Sequence, residues 1–231
     1  METSSQVIGN TIAEAAQGVQ GIDISHHSGD VAWPEVRAQG IVFAFAKSTE
    51  GMTFVDPKFS ENWSGMAAAG IIRGAYHYYT VGDDPASQAK NFIATVPLTT
   101  GGLPPVLDVE QPGQQPPQLL AADLKVWLDL VESHYGVTPL INTDPDFWNV
   151  YVRAQLGSYP LWVSNTDVAS PNLPRGWQSW TFWQYRQNVP VQGVPKGADR
   201  SVFQGSLAQL REFVQSSGKR QAKKNPSAYP G

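Results

Sequence analysis

The sequence predicts an α/β fold closed into a single barrel, and three observations carry that expectation. Short, apolar, β-favouring runs alternate with segments of helical period, which implies parallel pairing through right-handed crossovers. Eight such runs can be read along the chain, enough to close a barrel. No glycine-rich phosphate loop follows any of them, which argues against an open doubly wound sheet.

The elements follow in order. Residues 19–25 (V-Q-G-I-D-I-S) read as a first buried strand and 33–39 as a short helix. A second strand over 41–47 (I-V-F-A-F-A-K) leads to a helix over 58–69 that stops at Gly70, since glycine is the usual residue past a helix end. Residues 72–78 give a third strand, and Pro85, after Asp83 and Asp84, opens a helix to about residue 96, with proline in its favoured first turn. The fourth strand spans 106–110, and the longest helix, 119–135, ends at Gly136. A fifth strand over 138–142 precedes a helix over 147–154. The rhythm then changes: 161–164, 180–184 and a piece near 201–203 read as strands without full helices between them. The prediction is therefore five β/α units followed by three strands.

Both ends read as peripheral, giving a flexible segment over 1–18, a barrel over 19–215 and a basic, disordered tail over 216–231. That tail carries K-R-Q-A-K-K; a solvated end is its plain reading, and a weak hold on an anionic cell wall the sharper one. The net charge of -4 gives no footing for a polyanion, so no nucleic-acid partner is expected. The chain has no cysteine, hence no disulfide and no thiolate metal site. No stretch approaches the ~20 apolar residues of a membrane span. No secretory signal is visible in the first 18 residues. The 8 Trp and 8 Tyr are mostly core material by default, although sugar faces also stack on such rings.

The most informative motif is L-P-P-V-L-D-V-E at 103–110, an apolar run that ends in Asp108 and Glu110. Residues two apart on a strand point the same way. Two acids on one face at a buried strand end raise each other's proton affinity, and a carboxyl pair is what acid-catalysed glycosidic cleavage needs. In parallel barrels catalytic groups sit at the C-terminal strand ends. Asp23 near the end of the first strand, Glu50 after the second and Asp199 just before the last join that face. Each has a structural alternative: a turn cap for Asp23, a loop acid for Asp199, a surface ion pair with Lys47 for Glu50, a salt-bridged pair for Asp108 and Glu110. His26 and His27 are adjacent, so they point to opposite faces and make no zinc site; one of them lining the cleft is expected instead. His77, inside the third strand, reads as a buried hydrogen-bonded histidine, and His134 as a partner for its helix dipole.

Six ordered motifs then resemble glycoside hydrolase family 25, the Chalaropsis-type lysozymes: G-I-D-I-S-H-H-S-G (21–29), F-A-K-S-T-E-G (45–51), G-A-Y-H-Y (74–78), L-P-P-V-L-D-V-E (103–110), L-W-V (161–163) and W-Q-Y (183–185). The resemblance runs from about residue 19 to 210. It implies a flattened TIM-like barrel and an N-acetylmuramidase, cleaving the β-1,4 bond between N-acetylmuramic acid and N-acetylglucosamine in peptidoglycan. It also implies Glu110 as general acid, with Asp108 supporting attack by the substrate's own acetamido group. Asp23 and Asp199 would be an outer acidic pair, and Lys47, Glu50, Tyr76, Tyr78, Trp162, Trp183 and Gln184 would line the cleft. No metal or organic cofactor is expected, nor a membrane partner. A monomer acting at the bacterial cell wall, secreted or released as a phage endolysin, is the expectation. The chain departs from the family pattern at Asn142, where tyrosine is common nearby, at Ser164 to Thr166, and after Asp199, where Arg200 and Ser201 follow. A glycan-binding barrel with little turnover, and a glycosidase for chitin-like glycans, are the alternatives.

Overall fold

The computed structural model describes residues 18–97, 101–153 and 156–224, with 217–224 as backbone only. The expectations for residues 1–17, for 225–231 and for the end of the helix at residue 154 lie outside them. A single sheet runs in the order β1-β9-β8-β7-β6-β5-β4-β2-β3, and β1 also pairs with β2. That extra pairing closes a barrel of eight strands, while the two-residue β3 (Phe54–Val55) hangs antiparallel from the end of β2 (Phe43–Glu50). The first strand, β1 (Val19–Ile24), runs parallel to β2, as do β4 (Ile72–Tyr78), β5 (Val106–Asp108), β6 (Leu140–Thr143), β7 (Leu161–Ser164) and β8 (Phe182–Val191) to their neighbours. The last strand, β9 (Val194–Phe203), is antiparallel to both β8 and β1.

Helices α1 (Trp33–Ala38), α2 (Phe59–Ala68), α3 (Pro85–Thr95), α4 (Pro117–Tyr135) and the one-turn α5 (Pro145–Phe147) follow the first five parallel strands. Their boundaries have local causes. Asp84 accepts a hydrogen bond from the Ser87 amide at 2.8 Å and Pro85 sits in the first turn of α3, the usual way to satisfy a free helix N–H. Gly136 closes α4 with φ 68, a left-handed position that glycine adopts without strain. After α5 the chain widens into a π-helical turn at Trp148–Val152 in place of the regular helix expected over 147–154.

The alternation of the strands sorts side chains into two cores. Ala44, Ala46, Ile22, Ile24, Leu107 and Ile141 face outward and pack against the helices. Phe43, Phe45, Val106, Leu140, Trp162, Phe182 and Phe203 face inward and fill the barrel. Two motif glycines make room for that filling. A Cβ on Gly21 would meet the Phe43 ring at 2.2 Å, and one on Gly74 would meet Phe45 at 2.3 Å. Trp162 stacks on Phe45 with ring centroids 4.4 Å apart and donates its indole N–H to Ser201 Oγ at 3.0 Å.

Two features differ from the sequence reading. The expected strands at 180–184 and 201–203 are the ends of one long hairpin, so Asp199 lies inside β9 and not before it. The turn at Gln192 and Gly193 carried no two-strand pattern because Pro190 and Pro195 interrupt the β-favouring run. A final helix, α6 (Leu207–Lys224), was not expected; Leu210, Phe213 and Val214 of its first turns close the floor of the barrel beneath Phe182 and Phe203.

Candidate active site

Each inward-facing row begins apolar and ends polar. On β2 the row is Phe43, Phe45, Lys47; on β4 it is Ile72, Gly74, Tyr76, Tyr78; on β5 it is Val106, Asp108, continuing to Glu110. Leu140 is followed by Asn142, Phe182 by Gln184, and on the antiparallel β9 Phe203 by Ser201 and Asp199. The polar ends converge on a cavity of about 190 Å³ lined by Asp23, Ser25, His27, Lys47, Tyr76, Tyr78, Asp108, Glu110, Asn142, Trp162, Gln184, Gln187 and Asp199. It opens at the C-terminal ends of the parallel strands, where barrel enzymes carry their chemistry.

Asp108 is the last residue of β5 and only 8 % exposed. The backbone stays extended past it, with the Val109 amide donating to Asn142 O at 3.0 Å, so Glu110 comes back to the same side. The two carboxyls line the same cavity and act on each other's proton affinity. Burial, then the charge of Glu110 and of Asp23, pushes the proton affinity of Asp108 well above the usual carboxylate range. Burial and the charge of Asp199 raise Glu110 as well. Two buried acids side by side cannot both ionise cheaply, which favours one shared proton over two free carboxylates. The Oδ1 atom of Asp108 is buried without a hydrogen-bond partner.

Asp23 and Asp199 are direct register partners across β1 and β9. Like charges placed so are destabilising, and burial followed by Asp199 raises Asp23 well above its ordinary range. Asp199 is raised too, by burial, although its Oδ1 accepts the Asn188 amide at 2.7 Å. The Gln184 amide nitrogen donates to both acids, at 2.9 Å to Asp199 Oδ2 and 3.2 Å to Asp23 Oδ2. Tyr76 is half-buried, and desolvation with the four surrounding acids Asp23, Asp108, Asp56 and Glu110 keeps its phenol protonated. Tyr78 is pushed up to about 12 by burial and Asp108, and Lys47 Nζ lies 4.6 Å above its ring.

Thus Asp23, Asp108, Glu110, Asp199, Lys47, Tyr76, Tyr78, Trp162 and Gln184 come together. Glu50 pairs with Lys47 at 2.5 Å, and it lines a second cavity with Tyr78, Thr80 and Gln111. Trp183 does not line the cavity: strand alternation turns it outward into the shell core, where its indole N–H donates to Asn165 O at 2.8 Å. Trp177 and Tyr185 share that shell, so the aromatic cluster of the sequence is packing. Ser25, Asn142 and Gln187 were not identified as lining residues. Asn142 could have been, since its position two past Leu140 repeats the inward row; Gln187 could not, because β8 is bulged between Arg186 and Val189. Of the paired histidines, His27 reaches the cavity, whereas His26 is held on buried Asp56, Nδ1 to Oδ2 at 2.8 Å. Among the described residues no group of three metal-ligating side chains is assembled.

The family model for glycosyl hydrolases family 25 matches residues 22–194. Lysozyme M1 of Streptomyces globisporus is 34% identical over 209 residues, covering 84% of this chain and 70% of its own. The N,O-diacetylmuramidase of Chalaropsis sp is 32% identical, covering 85% of this chain and 99% of its own. Among solved structures, the bacterial lysozyme from Streptomyces coelicolor superposes with a TM-score of 0.82 at 31% identity, over 87% of this chain and 99% of that one.

Proposed function

The chain belongs to the glycosyl hydrolases of family 25, and from that premise we propose that it is a muramidase, hydrolysing the β-1,4 bond between N-acetylmuramic acid and N-acetylglucosamine in peptidoglycan at the bacterial cell wall. The observation that carries the reading is the pair Asp108 and Glu110 lining one cavity, each held above the usual carboxylate range by burial and neighbouring acids.

Glu110 is the general acid. It is the less enclosed of the pair, and it gives its proton to the leaving glycosidic oxygen. Asp108 positions the substrate's acetamido group: its carboxyl, on the cavity wall, accepts the amide N–H, so that the acetamido oxygen turns toward the anomeric carbon. That new hydrogen bond favours the Asp108 anion, which leaves the shared proton on Glu110. Substrate binding thereby arms the acid. The oxygen attacks as the leaving group departs, and Glu110, now a carboxylate, takes a proton from the incoming water. Asp23 and Asp199 supply negative potential for the positive charge that develops on the sugar. Tyr76, Tyr78, Trp162 and Lys47 form the walls, and Gln184 the floor between the outer acids. One chain completes the cavity, so the unit of activity is a monomer.

The test is to incubate the purified protein with peptidoglycan, reduce the products and identify the new reducing end. A muramic-acid end is expected. Release of no fragments, with binding retained, would point to a glycan-binding barrel; cleavage of chitin oligomers alone would point to another N-acetylated substrate.

A further inference from the structure

Gln184 carries the least expected arrangement in the molecule. It is 4% exposed and stands on β8 beside the register pair Asp23 and Asp199. Its one –NH2 group reaches both carboxylates, while its Oε1 is buried with no partner. A primary amide has two N–H donors; here one serves each acid. Lysine or arginine would hold the two acids more strongly but would cancel their charge. Glutamine supplies donors and leaves the negative potential in place.

We propose that Gln184 is a positioning residue that fixes the ionisation of the outer pair and, through it, the proton affinity of Glu110. The inference rests on the muramidase reading for the meaning of that proton. The geometry explains why an amide is suited to the position. Two carboxylates opposite one another on adjacent strands share a proton unless something else donates to them. With Gln184 in place each acid has its own donor, and Asp199 has a second in the Asn188 amide. The negative charge of Asp199 is in turn the largest electrostatic influence on Glu110 after burial. Other groups facing this cluster are Lys47 from β2, Tyr76 and Tyr78 from β4, Asp108 from β5, Asp144 at the start of α5 and His27 from the turn after β1. Lys47 opposes the rise of Glu110 and Asp144 adds to it; neither contacts Gln184, so both act equally on wild type and variants.

Two substitutions separate this role from a packing role, because they move the alkaline limb of the rate profile in opposite directions. Gln184→Met keeps the length and removes both donors. Asp23 and Asp199 then bind protons more readily, the field at Glu110 weakens, and the alkaline limb of the kcat/KM profile moves to lower pH by about half a unit or more. Gln184→Glu adds a third acid, and its ionised form pushes the same limb to higher pH. The direct readout is the carboxyl carbon titration of Glu110 and Asp199 by NMR, which needs no turnover. Opposite displacement of the Glu110 midpoint in the two variants, in protein whose folded spectrum is retained, is expected. Displacement in the same direction, or an unmoved midpoint, would overturn the proposal. If the midpoints move as stated but wild type releases no muramic-acid end, the coupling stands and the muramidase reading fails.

Discussion

Phe45 and Lys47 are two residues apart on one strand, face the same barrel interior and are both buried, yet they belong to regions governed by different costs. Below, Phe43, Phe45, Trp162, Phe182 and Phe203 interlock edge to face or stacked, at centroid distances of 4.4 to 5.9 Å. Each contributes through apolar area removed from water, about 1.5–3 kcal/mol per side chain. One layer higher, the same alternation delivers Asp23, Asp108, Glu110 and Asp199, all raised in proton affinity by burial and the first three also by neighbouring acids. The lower layer is stable because it excludes polar groups. The upper layer is reactive because it has been made to include them, and the sealed floor supplies the rigidity and the missing water that make their proton affinities abnormal.

Exchanging a group in either layer should separate the two contributions. The largest effect is expected from Glu110→Gln, whose amide cannot act as an acid: turnover falls by roughly 10²–10⁴, measured as muropeptide release, with the melting temperature unchanged or raised. Lysis at the wild-type rate would remove Glu110 from its role. Phe45→Ala does the reverse. Removing a fully buried ring beneath the site costs about 3–5 kcal/mol and lowers the melting temperature by roughly 10 °C, while activity per folded molecule at low temperature stays within a few-fold. A hundredfold loss in the folded fraction would mean that floor and mouth are not separable.

Asp108→Asn should expose the cost of the upper layer as stability. The folded-state proton affinity of Asp108 is raised, so below the unfolded-state value both states are protonated and there is no penalty. As pH rises above it the unfolded chain releases its proton first, and stability declines until the folded carboxyl has ionised. The variant lacks that decline. Its melting temperature at pH 7 should exceed that of wild type by a few degrees, at roughly 2–4 °C per kcal/mol for a chain of this length, and the gap should close toward pH 4. A gap that is constant with pH would argue that Asp108 is not held protonated.

The barrel and the paired acids Asp108 and Glu110 were legible because both rest on short-range regularities. Alternation gave the inward rows, and L-P-P-V-L-D-V-E announced a buried strand that ends in acids. The features that escaped depend on events those regularities do not encode. The bulge in β8 moves Gln187 onto the cavity and Asn188 into a left-handed turn at φ 49, which no local pattern foretells. The resemblance paired Asp199 with Asp23, but not the antiparallel hairpin strand that sets them in direct register, 176 residues apart in sequence. Trp183 sits in a motif next to Gln184, and adjacency in sequence suggested a shared cleft; on a strand, adjacency means opposite faces. The same rule applied strictly would have put Gln184 inside and Trp183 outside.

The smallest effect is expected from His77, which lies on the outward side of β4 and supplies a control from the opposite charge type. Gln88 Nε2 donates to Thr80 O and Asp83 O, and Gln88 Oε1 receives the Thr80 amide. The contact of His77 Nε2 with Gln88 Oε1 at 3.1 Å therefore needs a proton on Nε2. Nδ1, 2.7 Å from Thr49 Oγ1, is then the acceptor of that hydroxyl. The imidazole is neutral in this tautomer, and burial lowers its pKa to about 4. Its contribution to stability is complete above the unfolded-state value and is lost as pH falls toward about 4, opposite in direction to that of Asp108. Nitrogen-15 NMR should find Nε2 protonated and Nδ1 unprotonated at pH 7, with the ring titrating near 4. A ring that titrates near 6.5, the ordinary value for histidine, would mean that the shell outside the barrel is as wet as the mouth, and the contrast between the layers would then owe nothing to exclusion of water.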